Sequence, residues 1–293
     1  MSTLKTFICT TTVTLSLLLV AGQQANAGQL YQDWNYGIDS FSDGSGSSSF
    51  EIKGMAIKES GDKVYVALTG GMPLSGVNEG NVNIGWSDLF LNFSGKDFQT
   101  ASQNQDLFAV RFVNNNDSSI ATGVYTGVTA KSITTSHNGY SSLKQYYNSG
   151  WGRPNTQGTD FFTQQSVYDY YYQTSVANNP TTSNTPILNA IASGTKVGGV
   201  SLLSGLDLST AGLDFGHFSA LGTHTIGFSF DRSLIANGNY VANLFLDCGN
   251  DGIAIKGNIK STPEPTTTAG LFVLGLVFTM TQIQKSRKTA LSQ

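Results

Sequence analysis

Apolar residues recur at every second position in one short segment after another, a periodicity that admits β-strands and little else. In His224-Thr225-Ile226-Gly227-Phe228-Ser229-Phe230, the positions His224, Ile226, Phe228 and Phe230 share one face, and Thr225, Gly227 and Ser229 the other. Trp34, Tyr36 and Ile38 alternate in the same way, as do Val64, Val66 and Leu68. Leu89 to Phe93 and Leu107 to Val113 repeat the pattern, and Gly123 to Thr129 is rich in β-branched residues. Tyr240 to Asp247 and Gly252 to Ile259 read as two strands joined through Cys248-Gly249-Asn250-Asp251, where the Asp251-Gly252 step suits a tight turn. Tyr240 falls where a sandwich places its tyrosine corner. One helix is expected, with Thr185 as N-cap, Pro186 at its first position, Ile187, Leu188 and Ile191 on one face and Gly194 as its stop. The pattern predicts an all-β fold: a jelly-roll-like β-sandwich with one or two short helices.

Composition narrows the function. Charged residues are 12% of the chain, against a usual value of about 25%. Gly, Ser, Thr, Asn and Gln take their place. The 17 Phe, 12 Tyr and 3 Trp supply a core that a disordered chain would lack. A net charge of −3 offers no basic face, so nucleic acid is excluded as a partner.

The two ends read as addresses. Lys5 precedes an apolar run from Phe7 to Val20, and Ala25-Asn26-Ala27 follows as a small-residue cleavage site before Gly28. This predicts a signal peptide over residues 1–27, removed by signal peptidase. At the other end Pro263-Glu264-Pro265 leads into an apolar run from Thr266 to Ile283, then the basic cluster Lys285, Arg287 and Lys288. As a helix that run would be roughly 27 Å long, just enough for a bilayer core of ~30 Å. The basic residues would hold the C-terminus in the cytoplasm. Between the ends lies an extracytoplasmic domain, residues 28–262, which carries 18 acidic and 12 basic residues. Its only cysteine is Cys248, so it can form no internal disulfide.

The tripeptide, apolar helix and basic cluster of residues 263–288, in that order, resemble the PEP-CTERM sorting signal. Asp33 to Phe41, Asn83 to Phe90, Leu107 to Phe112 and Leu244 to Gly252 look like segments of exosortase-dependent surface proteins. The resemblance implies recognition by exosortase, removal of the tail, and a place on or outside a bacterial cell. It implies no reaction.

From residue 137 to 185 the alternation dissolves into a Tyr/Asn/Thr-rich insertion. Its aromatics, Trp151, Tyr168, Tyr170, Tyr171 and Tyr172 among them, admit two readings. They could stack on sugar rings as a glycan-binding surface, or they could pin the insertion onto the sandwich. No catalytic motif, cofactor fingerprint or metal-ligand spacing stands out. His137, His217 and His224 are not at ligand spacing. Asp247 to Gly252 faintly resembles a calcium loop, but position 12 is Asn258 rather than the required Glu, and a self-satisfied turn explains the same residues. The expectation is therefore a non-catalytic cell-surface or matrix protein without cofactor. The alternatives are a glycan-binding module and, third, a secreted glycosidase, whose paired carboxylates sequence does not place.

Overall fold

Every alternating segment becomes a strand in the computed structural model, which describes residues 28–39, 47–149, 164–172 and 182–260. In chain order the strands begin with β1 (Gln29–Tyr31), β2 (Trp34–Ile38), β3 (Ile52–Ser60), β4 (Lys63–Gly70), β5 (Val77–Glu79), β6 (Val82–Ile84) and β7 (Leu89–Asn92). They continue with β8 (Leu107–Arg111), β9 (Gly123–Lys131), β10 (Ala190–Gly198), β11 (Ser201–Leu203), β12 (His224–Asp231), β13 (Gly238–Phe245) and β14 (Gly252–Ile259). The helices are α1 (Phe98–Gln103), α2 (Leu143–Ser149), α3 (Gln164–Tyr172) and α4 (Gly205–Thr210).

Two six-stranded sheets form, in the orders β1-β2-β3-β4-β12-β11 and β10-β9-β8-β7-β13-β14, and β5 and β6 make a separate hairpin. All neighbours in both large sheets are antiparallel. Val64, Val66, Leu68, Ile226 and Phe228 of the first sheet share one buried cluster with Leu89, Leu91, Val110, Leu244 and Ile255 of the second. The sheets therefore face each other across a common core.

The connectivity corrects the jelly-roll expectation, which needs most successive strands to change sheet. Here β1 to β4 and β7 to β10 are meanders, each within one sheet. The cause is local. Residues 61 and 62 alone join β3 to β4, with Gly61 at φ +61°, and so short a link can only connect antiparallel neighbours. The return of β13 to the side of β7 gives the order β13-β7-β8-β9, a Greek key.

Both sheets are apolar on their outer faces too. In β7, Leu89 and Leu91 face the shared core while Phe90 faces outward, into a cluster with Phe98, Leu143, Tyr146, Tyr168, Tyr171 and Tyr172. The helices α1, α2 and α3 thus cover the second sheet. On the first sheet, Trp34, Tyr36, Ile38, Ala56 and Ala67 point outward under Leu208, Phe215 and Ala220 of the arm 204–220. Each such ring taken from water contributes about 1.5–3 kcal/mol, so the covers are part of the fold's stability rather than ornament.

The helix expected over residues 186–193 is not there: 183–189 is irregular and 190–198 is β10. Ile187 and Ile191 are both buried, but a spacing of four satisfies period 2 as well as period 3.6. Pairing with β9 decides for the strand. More helix forms than the one or two segments expected, and most of it lies in the two covers.

Candidate functional site

Ala25, Ala27, Pro263, Glu264, Pro265, Lys285, Arg287, Lys288 and Trp151 lie outside the described residues. Gly28 is described and leads straight into β1. Its Cα sits so close to β2 that an added Cβ would come within 2.3 Å of the Tyr36 carbonyl oxygen. Among the described residues no helix is long and apolar enough to cross a membrane, and 266–283 falls outside that set.

The tyrosines of the insertion do not form the exposed platform that sugar stacking needs. Tyr168, Tyr171 and Tyr172 are 2%, 5% and 2% exposed. They occupy the i, i+3, i+4 face by which α3 packs on the second sheet. Tyr171 meets Phe245 with ring centroids 4.9 Å apart, and Tyr170, half-buried, donates its hydroxyl to Asn243 Oδ1 at 3.1 Å. Burial pushes the Tyr170, Tyr171 and Tyr172 phenols up from their ordinary value. These four side chains pin the insertion down.

Buried and half-buried polar residues gather at two places, and most of them, Asp88, Arg111, Asn189, Glu59 and Arg232 among them, were not singled out in the sequence. The first lies beside the β13–β14 turn. Asp247 Oδ2 accepts the Gly85 amide at 2.9 Å, and Oδ1 accepts the Ser87 hydroxyl at 2.8 Å. Asn189 Nδ2 is within 3.1 Å of Ser87 Oγ and the Leu246 carbonyl and 3.0 Å of the Asp247 carbonyl. Next to it, Asp88 accepts from Asn116 Nδ2 at 3.0 Å, from the Ile191 amide at 2.8 Å and from the Ser118 hydroxyl. Arg111 donates to the carbonyls of Val113, Asn114, Asn116 and Ile120 and so shapes the β8–β9 loop that carries Asn116 and Ser118. Asp251 Oδ2 accepts the Ile52 amide at 2.6 Å, tying the second sheet to the first.

Desolvation raises both carboxyls. Asp88 is pushed up by burial against the pull of Ser118, the Ile191 amide, Asn116 and the Arg111 charge. Asp247 is pushed up to about 6 by burial, against the Ser87 hydroxyl, the His137 charge and the Gly85 amide. Serine, histidine and aspartate meet here, but not in a relay. Ser87 gives its proton to Asp247, not to His137, whose Nδ1 bonds the Ile133 carbonyl at 3.0 Å. His137 Nε2 stands 4.0 Å from Asp247 Oδ2 and 3.8 Å from Asp117 Oδ2. A nucleophile–base hydrogen bond open to substrate is the signature of acyl transfer, and this sealed network holds backbone instead.

The turn's carboxylates are likewise committed to amides, since Asp251 Oδ1 also accepts the Gly252 amide at 2.8 Å. Among the described residues no group of three or more His, Cys, Asp or Glu could hold a metal ion. Cys248 is a buried free thiol, pushed up to about 11 by desolvation. Of the other histidines, His217 stacks on Tyr31 at 3.8 Å in a 3-10 turn, and His224 opens β12.

The second gathering is where β14 ends. Arg232, 6% exposed, donates through Nε to Glu59 Oε1 at 3.0 Å, through Nη1 to the Ile235 carbonyl at 3.2 Å and through Nη2 to the Lys260 carbonyl at 2.8 Å and to Asn237 Oδ1. The Lys260 amide donates to Glu59 Oε2 at 3.2 Å. One guanidinium and one carboxylate thus grip both backbone groups of Lys260, three residues before Pro263.

One signal for these residues was available in the sequence. Asp88 is in phase with Phe90, and Arg111 with Leu107 and Ala109, each on an apolar strand face. A charge in phase with a buried stripe must be held by hydrogen bonds. Which partners hold it is long-range information. No family model, curated protein or solved structure matches this chain.

Proposed function

We propose that the chain is an exported, non-catalytic bacterial surface or extracellular-matrix protein, delivered through a signal peptide and processed by exosortase. The observation that carries this reading is the order of parts after Lys260: Pro263-Glu264-Pro265, the apolar run Thr266 to Ile283, then Lys285, Arg287 and Lys288. Proline disfavours helix at the residue before it, which would keep the tripeptide extended outside the bilayer, and the basic cluster would hold the C-terminus in the cytoplasm. The buried Ser, His and Asp groups fit the same reading, because each is committed to holding the fold. A neutral exterior rich in Gly, Ser, Thr and Asn suits hydrated polysaccharide as its surroundings.

Mass spectrometry of the surface-exposed protein from exosortase-positive cells tests the proposal. The expected species begins at Gly28 and lacks Leu271 to Lys288. Glu264→Ala leaves insertion intact and stops tail removal. Recovery of mature protein that still carries the tail in such cells would reduce the segment to an ordinary membrane anchor.

A further inference from the structure

The grip on Lys260 has a consequence for how the domain stands while its tail is still attached. Glu59 belongs to β3, Arg232 follows β12, and Lys260 follows β14, so the fork binds both sheets at a single apex. The Arg232 amide also donates to the Asp62 carbonyl at 2.8 Å, which fastens the fork to the β3–β4 turn. Folded structure therefore runs to Lys260, and the strand cannot lengthen the tail by unravelling without first breaking both bonds that hold the Lys260 backbone.

From Lys260 to Thr266 is six residues, a leash of at most ~22 Å even when fully extended. Pro263 lies within ~11 Å of the apex by the same measure. The opposite end of the domain, at the Asp247–Asp251 turn, is the length of β14 away, about 27 Å for a strand of this size. The leash is thus shorter than the domain is long. It keeps the apex within ~22 Å of the bilayer, while the Asp247 end, a further strand length away, carries no such tether. The apex is suited to headgroups and water: Asp62 is exposed, and Lys63 pairs with Asp231.

We infer that the end of the sandwich formed by the Ser60–Lys63 turn, Arg232 and Lys260 faces the lipid headgroups in the uncleaved protein, with the Asp247 end directed away from the membrane. This orientation rests on the reading of residues 266–283 as a membrane span. Glu59 and Arg232 act in it as positioning residues, which fix how far the Pro263 tripeptide stands from the folded domain.

The experiment uses residues 28–293, the chain as it stands after signal-peptide removal, reconstituted in phosphatidylethanolamine/phosphatidylglycerol vesicles that carry a headgroup spin label. Cys248 is buried, with its thiol pushed up to about 11, so a maleimide fluorophore reports only on an added cysteine. Asp62→Cys places the probe at the apex. Ser136→Cys places it at the far end, exposed and four residues before Tyr140, whose amide donates to the Cys248 carbonyl at 3.2 Å. The Asp62 probe should lose most of its fluorescence and the Ser136 probe little. Inserting an eight-residue Gly-Ser spacer between Ser261 and Thr262 leaves the fold untouched and should bring the Asp62 signal to the Ser136 level. Equal quenching at both sites without the spacer, in protein that floats with the vesicles, overturns the orientation alone. Protein that fails to float overturns the membrane-span reading and the orientation with it.

Discussion

The two ends of β14 show the same device made from opposite charges. At Asp247, Asp88 and Asp251, buried carboxylates collect backbone amides and hydroxyls from neighbouring loops and strand starts. At Arg232, a buried guanidinium collects carbonyls. The sandwich carries few charges, and it uses several of them where connections must be held rather than on its surface. The ends differ in what solvent can do to them. Carboxyls titrate within reach of ordinary pH once burial raises them, and a guanidinium does not. One end of the molecule responds to pH, losing stability as pH rises, and the guanidinium end does not.

The largest effect should come from removing an anchor at the titratable end. Asp88→Ala strands three buried donors, on Asn116, Ser118 and Ile191. A loss of about 3–5 kcal/mol is expected, read as a fall in the urea midpoint at unchanged slope. A loss below about 1 kcal/mol would mean that water already satisfies these groups and that the network is not structural.

Acidity gives the next effect and separates the ends directly. The Asp247 carboxyl sits at about 6 in the fold, above an unfolded value of about 3.9. The folded state therefore holds this proton more tightly. Its contribution to stability is fully present below about pH 3.9 and is lost as pH rises through about 6, a swing of up to about 3 kcal/mol. Asp88 acts in the same direction. Asp247→Asn should flatten this part of the profile between pH 4.5 and 7.5. Its oxygen can still accept the Gly85 amide, while its nitrogen donates to a reoriented Ser87 hydroxyl. An unchanged slope in that variant would assign the pH dependence elsewhere.

Arg232→Ala should cost about 2 kcal/mol, less than Asp88→Ala, because Glu59 is left a quarter exposed and can be rehydrated. Arg232→Lys should recover only part, since one ammonium cannot reproduce donations to Glu59, Ile235 and Lys260 in a single plane. Neither variant should alter the pH profile. If Arg232→Ala flattens it, the two ends are coupled and the comparison fails.

How much of this could be read from sequence depends on the range of the interaction. The strands were legible because alternation is local: β2, β4, β7, β8, β9, β12, β13 and β14 each announce themselves in a few residues. The order of strands was less so: β3 has no clear alternation, and only once it is placed does the Gly61-Asp62 link exclude a change of sheet between β3 and β4. The face of β2 was not legible. Trp34, Tyr36 and Ile38 look like core, yet they turn away from the facing sheet, because the other face carries Gly37 for close approach to β14. An added Cβ there would stand 3.1 Å from the Ala254 carbonyl, and Asn35 Nδ2 reaches the Lys256 carbonyl at 2.8 Å. Period 2 says that two faces differ without saying what lies opposite each. The tyrosines of α3 show the same limit, since 168, 171 and 172 already sit at helical spacing and only the uncovered outer face of the second sheet explains why they are buried.

The smallest effect is expected at a cation beside the fixed end. Lys63 and Arg232 both neighbour carboxylates at the apex, and a count of ion pairs would weigh Lys63–Asp231 with Arg232–Glu59. The side chains of Lys63 and Asp231 are 40% and 53% exposed, so water screens the attraction and replaces it when it is lost. Nothing in the backbone hangs on the Lys63 ammonium. Its strand is held by the ladders from β4 to β3 and β12, which remain when the side chain is cut. Lys63→Ala should therefore leave the melting temperature unresolved from wild type, with or without added salt. A clear drop that disappears at high salt would show that surface charge carries weight at the apex, and Arg232 would then owe part of its effect to its neighbours rather than to the carbonyls it grips.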